Sequence, residues 1–292
     1  CASTDNVTVT VNPPISVTAF ADVTICPGGT ASLSAFATGG DGGGNPMNYT
    51  YYWDNGGTGM NQDVSPTFTT TYLVYATDGC GSYSDTASVT VTVSTPPVVD
   101  FTTTNNTGCY PVVTSFTDLS DGTGVTCLWD FGDGFTSTDC GDVTHTYNQP
   151  GIYDVTYTVT NADGCPTVLT LQDEVEIYDY PFAEFSFTPE VGSLVESEIT
   201  FTNESVDADT YYWAFGDSVS PAFSTLEHPV AAYPDQVEGV YEACLIAISE
   251  NGCMDTICKQ ITIEDQFLFY VPNTFTPNGD GTVSYTHLRA HE

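Results

Sequence analysis

The side chains best suited to chemistry in this 292-residue chain are His145, His228, the carboxylates Asp130 and Asp133, and ten cysteines. A histidine near a carboxylate can move protons, and paired acids can cleave a glycosidic bond. Oxygen-rich loops can hold calcium, and cysteines can bind zinc or cross-link. Each reading has a structural rival. His145 and His228 follow two copies of one motif, and a side chain that holds a loop is duplicated with its scaffold, whereas a catalytic group seldom is. Both are therefore read as structural, and no catalytic residue is expected. No Gly-x-Ser-x-Gly, His-Glu-x-x-His or phosphate-cradling glycine loop is present, so hydrolase, metalloprotease and nucleotide readings lack local support. Glycine flanks Asp133, which makes it a turn residue first. Asp130, Asp133 and Asp280 are the weak calcium candidates, and neither of their loops has EF-hand spacing. With no Cys-x-x-Cys in the chain, zinc is set aside. No cofactor is expected, with calcium the one alternative.

The elements that position these residues are legible from a repeat. Trp129, Asp130, Phe131, Gly132, Asp133 and Gly134 recur in weakened form as Trp213, Ala214, Phe215, Gly216, Asp217 and Ser218. After the first copy come His145, Tyr147, a Gly-x-Tyr at 151–153 and an alternating run that closes on Cys165. After the second come His228, Tyr233, a Gly-x-Tyr at 239–241 and an apolar run that closes on Cys253. On a strand, Trp129 and Phe131 send two rings to one face and Asp130 to the other. The glycines then supply a tight corner, since Gly reaches positive φ cheaply. Short runs rich in Val, Thr, Tyr and Phe continue through the chain between Gly, Pro and Asn, and no stretch keeps a helical period.

These residues resemble the PKD domain, a small immunoglobulin-like β-sandwich of surface and secreted proteins, at 96–178 and again at 179–265. The second copy departs from the pattern at Ala214 and Ser218. Residues 15–95, through Thr69, Thr70, Thr71, Tyr72 and the turn Thr77-Asp78-Gly79-Cys80, resemble the immunoglobulin-like repeats that accompany such domains. Residues 271–281 are dense in Pro, Asn, Gly and Asp, and resemble the opening of the gliding-motility-associated C-terminal domain. That domain is a sorting signal for type IX secretion in the Bacteroidota, and 266–282 is assigned to its truncated start. The resemblance implies the type IX machinery as a partner, export, and an extracellular or cell-surface location, either attached to the outer membrane or released. Residues 1–14 parallel 80–97 and are read as the last strand of a truncated upstream domain, with a lipid-bearing Cys1 as the rival reading. Residues 283–292 resemble a translated sequencing adapter and are set aside as an artefact.

The expected fold is therefore all-β: tandem immunoglobulin-like sandwiches, one immunoglobulin-like and two PKD, in an elongated chain. Prolines at 96–97 and 181 stiffen the seams, and three sandwiches end to end make a rod on the order of 100 Å. The charge balance narrows the partners. There are 38 acidic residues against two basic ones, a formal net charge of −36. Such a surface repels nucleic acid and anionic lipid, and no apolar run is long enough to span a bilayer. The expected role is a non-catalytic spacer or adhesion stalk whose partner is a surface polysaccharide or protein ligand. The alternatives are a carbohydrate-binding accessory module of a secreted hydrolase and a calcium-stiffened adhesin. For the former, Tyr52 and Tyr212 are candidate surface rings, because Tyr49, Tyr51 and Trp53 share one strand face and Tyr211 and Trp213 another.

The cysteines imply an oxidising compartment. Aligning the repeats proposes Cys26–Cys80, Cys109–Cys165, Cys127–Cys140 and Cys244–Cys258, each contributing roughly 3–4 kcal/mol in the chain-entropy model. Cys1 and Cys253 are left unpaired.

Overall fold

The computed structural model describes residues 4–121, 126–194, 197–216 and 218–265. The chain is all-β, with no α-helix among the described residues, and it forms immunoglobulin-like sandwiches in tandem. Two compact units divide it, Cys1–Tyr178 and Asp179–Glu292. No helix of the described residues is long and apolar enough to cross a membrane.

The first unit holds two sandwiches. Strands β1 (Ser16–Ala19), β2 (Val23–Ile25), β3 (Ala31–Thr38), β4 (Thr50–Trp53), β5 (Asn61–Val64), β6 (Thr70–Thr77) and β7 (Ala87–Val93) form sheets of order β1-β3-β5 and β2-β7-β6-β4. Alternation sets the core: in β3 the residues Ala31, Leu33, Ala35 and Ala37 are buried while their neighbours are not, the period-2 pattern of a sheet with one face on the core. Tyr51 and Trp53 of β4 close over them from the facing sheet. Residues 39–44, glycine-rich, do not hang free. The Tyr49 hydroxyl donates to the Gly39 carbonyl at 2.6 Å and accepts from the Gly44 amide at 3.1 Å.

The second sandwich uses β8 (Phe101–Thr104), β9 (Thr107–Cys109), β10 (Val112–Asp118), β11 (Thr126–Asp130), β12 (Thr136–Ser137), β13 (Val143–Tyr147), β14 (Gly151–Thr160) and β15 (Pro166–Tyr178), in sheets β13-β10-β8 and β12-β11-β14-β15-β9. In the second unit, β16 (Phe185–Thr188), β17 (Val191–Ser193), β18 (Glu198–Asn203), β19 (Thr210–Ala214), β20 (Phe223–Ser224), β21 (Val230–Ala232), β22 (Gly239–Ile248) and β23 (Met254–Glu264) pair as β16-β18-β21 and β17-β23-β22-β19-β20. This third sandwich repeats the second strand for strand, and β14 and β22 share one burial pattern along ten residues. In all three, a short strand (β2, β9 or β17) runs parallel to the end of the last strand. The chain's three tryptophans sit on the equivalent strands β4, β11 and β19, one in each core.

The disulfides differ from the expected set in an informative way. Cys127–Cys140 and Cys244–Cys258 form within their sandwiches. The expected Cys26–Cys80 and Cys109–Cys165 pairs do not; Cys26 is bonded to Cys165, across 139 residues and from the first sandwich to the second. Strand length is the reason. Cys26 follows β2, whose end lies beside the end of β7, whereas Cys80 precedes the start of β7, roughly 20 Å of strand away. Cys109 pairs with Tyr178 at the far end of β15, and Cys165 sits just before its start, roughly 40 Å away. Cys80 is exposed and free. Cys109 is disulfide-bonded, and so is Cys253, contrary to the expected free thiol. Cys1 lies outside the described residues, as do Asp217, Asp280, the segment 271–281 and residues 283–292.

Candidate functional site

Two places concentrate specific chemistry in the first unit: the corner at 129–134 and the seam between the two sandwiches. At the corner, β11 delivers Trp129 and Phe131 into the core, 0% and 3% exposed. Trp129 stacks on Tyr157 of the adjacent strand, ring centroids 3.7 Å apart and planes 9° apart. Gly132 then turns the chain at φ +82°, and a Cβ there would stand 2.4 Å from the Asp154 carbonyl oxygen. Only glycine combines that dihedral with that approach.

The acids close this corner on itself. Asp130 Oδ1 accepts from the Gly132 amide at 3.0 Å, and Asp133 Oδ1 accepts from the Phe135 amide at 3.1 Å. Asp133 Oδ2 meets His145 Nε2 at 2.7 Å. The His145 ring lies parallel to Phe131, centroids 4.2 Å apart, and the Tyr147 hydroxyl donates to the Phe131 carbonyl at 2.9 Å. Phe131, Asp133, His145 and Tyr147 thus hold one another, and three of the four carboxylate oxygens of Asp130 and Asp133 are engaged with protein donors. Replacing His145 with alanine is expected to lower stability by about 1–2 kcal/mol, the loss of one buried polar contact and a ring stack. Urea unfolding checks it, and an unchanged midpoint would remove His145 from the corner's support.

Burial first, and then the neighbouring Asp133 charge, push the Tyr147 hydroxyl well above the usual tyrosine value. Tyr157 is pushed up to about 12 by burial and by its hydrogen bond to Asp118 Oδ2 at 2.9 Å. Burial works against the charge on Asp118, but hydrogen bonds from Ser120 and Tyr157 outweigh it and hold this carboxyl below its ordinary range. These groups are fixed in the protonation states that pack, not poised to exchange protons near neutrality.

His228 does not occupy the place of His145. Tyr233 packs on Tyr241 as Tyr147 packs on Tyr153, and two residues before Tyr233 stands Ala231, paired with Ile199 as His145 is with Thr114. His228 lies three residues earlier, half-exposed, with Nδ1 accepting from the Asn203 amide at 3.0 Å. Four residues, Pro229 to Ala232, separate the histidine from the tyrosine in this copy, where Thr146 alone does in the first, and this carries it out of the corner.

The seam was missed by sequence reasoning. Besides Cys26–Cys165, the Ser94 hydroxyl donates to Asp163 Oδ2 at 2.6 Å. Asn161 Nδ2 donates to Ser94 Oγ at 2.9 Å and to the Thr95 carbonyl at 3.1 Å. Asn161 Oδ1 meanwhile accepts from the amides of Asp163 and Cys165 at 3.1 and 2.9 Å. One asparagine side chain both shapes the hairpin that presents Cys165 and grips the linker of the preceding sandwich. The signal was available in the Asn-x-Asp-Gly-Cys turn, read only as the end of a strand.

Metal and sugar chemistry fare unequally. Among the described residues, one group has metal-ligand spacing, Glu242 with Cys244 and Cys258, and its two sulfurs are bonded to each other. Tyr52 is half-buried: it stacks on Tyr75 at 5.1 Å and 19°, and Tyr75 lies 6.0 Å from Tyr83, which is 72% exposed. Tyr212 stacks on Phe223 at 5.7 Å. Tyr49, Tyr51, Trp53 and Trp213 are buried as expected and Tyr211 half-buried.

Residues 94–177 match the family model of the PKD domain. The PKD1 domain of the Vibrio cholerae metalloprotease PrtV is 32% identical, over 28% of this chain and 99% of that one, with a TM-score of 0.24. The PKD1 domain of Vibrio anguillarum Epp is 29% identical, over 29% and 98%, with a TM-score of 0.25. A structure from a 1.5-MDa bacterial ice-binding adhesin, described for host cell surface retention, is 14% identical over 87% and 99%, with a TM-score of 0.36.

Proposed function

Residues 94–177 are a PKD domain, and from that premise we propose that the chain is a non-catalytic extracellular stalk. It would space or present another domain of a large secreted or cell-surface protein, or carry an adhesive contact. The observation that carries this reading is the Cys26–Cys165 bond. A covalent tie between neighbouring sandwiches resists their separation under load, which serves a mechanical part and adds nothing to catalysis. The histidine at the corner supports the same reading, since it is spent on packing. On this proposal 15–95 is an immunoglobulin-like domain, 96–178 and 179–265 are PKD domains, and 271–281 begins a sorting domain read by the type IX machinery.

Force spectroscopy tests the proposal. With the chain pulled from its ends, the residues between Cys26 and Cys165 should contribute no extension until a reductant is added. Reduction should then release roughly 450–500 Å of additional chain. Equal extension in oxidised and reduced protein would sink the mechanical reading.

The tyrosines Tyr52, Tyr75 and Tyr83 favour a second reading, a polysaccharide-binding face. Their stacking turns ring faces toward one another, which leaves less flat surface for a sugar ring. Retention on insoluble polysaccharide, lost in Tyr83→Ala, would replace the stalk reading with this one.

A further inference from the structure

The hairpin between β6 and β7 carries Cys80 two residues before Ser82, which holds the place that Cys165 holds in the hairpin between β14 and β15. Both hairpins are shaped by an acidic or amide side chain at their start. Asp78 accepts from the amides of Ser82 and Asp41 as Asn161 accepts from those of Cys165 and Asp163. Cys165 is bonded to the cysteine that follows the short parallel strand of the sandwich before it. Cys80 is exposed and free, beside a surface pocket lined by Pro13, Pro14, Asp41, Asp78 and Ser82.

A second observation is independent of the cysteine. Residues 7–11 read Val-Thr-Val-Thr-Val, identical to 89–93 in β7. In β7, Val89 and Val91 are 3% and 0% exposed, whereas Val7, Val9 and Val11 are 85%, 78% and 86% exposed and belong to no strand. An alternating run with its whole apolar face in water is a strand lacking its sheet. It leads into Pro13, whose carbonyl accepts from the Gly40 amide at 2.8 Å, and so it starts from the same end of the first sandwich as Cys80.

We propose that this end of the first sandwich is a docking face for a further β-sandwich of the same kind. That sandwich takes residues 7–11 as its last strand and bonds a cysteine, placed as Cys26 is, to Cys80. In forming the bond the two thiols lose two protons and two electrons, which reduce a small-molecule or enzyme disulfide to two thiols. The inference concerns assembly and does not rest on the stalk reading.

The test supplies such a sandwich. A copy of residues 15–88 is joined ahead of residue 7, so that 7–11 follow the copy as 89–93 follow the original. The copy carries Cys80→Ser and Thr24→Val, which remove a competing thiol and mark its peptides by mass. After oxidation with glutathione disulfide, a non-reducing pepsin digest should contain the copied Cys26 joined to Cys80. Hydrogen exchange at residues 7–11 should slow by about 100-fold. Replacing the original Cys80 with serine should leave the copied cysteine as a glutathione adduct. An adduct or a different partner while Cys80 is present, in protein that keeps Cys26–Cys165 and Cys127–Cys140, overturns the proposal. If that fusion does not fold, a copy of 15–97 placed ahead of Ile15, with its own last strand, tests the cysteine pairing alone. The same absence of a copied Cys26–Cys80 peptide overturns it there.

Discussion

Cys165→Ser should lower the stability of the first unit by about 5 kcal/mol in the chain-entropy model, because the lost bond spans 139 residues. More diagnostic than the size is the loss of coupling. The intact unit should unfold in guanidinium in one transition seen equally by Trp53 and Trp129, whereas the variant should show two. Cys26→Ser should match it, and the double variant should be no worse than either single one, since both remove the same bond. Coincident transitions with an unchanged midpoint in Cys165→Ser would mean that the hydrogen bonds Asn161 donates and Asp163 accepts hold the seam without the sulfur.

Trp129→Ala should cost about 3–5 kcal/mol, the range for emptying the site of a large core ring. Trp129 is fully buried, and it touches Phe101 edge-on at 5.1 Å, Phe116 at 5.7 Å and Tyr157 face-on at 3.7 Å. Against a total stability of about 5–15 kcal/mol for a domain, this leaves the second sandwich marginal. Thermal unfolding should show the transition of the first unit falling steeply while that of the third sandwich, reported by Trp213, stays in place. A small shift for both would show that the ring stack contributes little beyond filling space.

The architecture was legible because its signals are local. Alternation in 151–160, the aromatic pair at Trp129 and Phe131, and glycine at 132 each depend on near neighbours. The corner was legible in type: Asp133 and His145 were singled out for structure and do hold each other. What failed was non-local. Matching His228 to His145 counted motif order and overlooked that three added residues shift the histidine against Tyr233. The disulfides failed for a related reason. Each sandwich was treated as a closed unit whose early and late cysteines meet, when strand length places them at opposite ends. Cys127–Cys140 and Cys244–Cys258, separated by 13 and 14 residues, escaped that error because a hairpin or a corner alone brings them together.

The scarcity of bases has a consequence at the level of proteolysis. Of the two basic residues in the chain, Lys259 and Arg289, Lys259 lies among the described residues. It lies within β23, paired to Ala243, with its ammonium bound to Glu184 and to the Phe185 carbonyl. Proteases that cut after lysine or arginine need an extended, unpaired segment in their cleft, and this strand is already committed on its β22 side. Among the described residues the folded sandwiches therefore offer trypsin-like enzymes no accessible bond, and their digestion falls to proteases of other specificity or waits for unfolding.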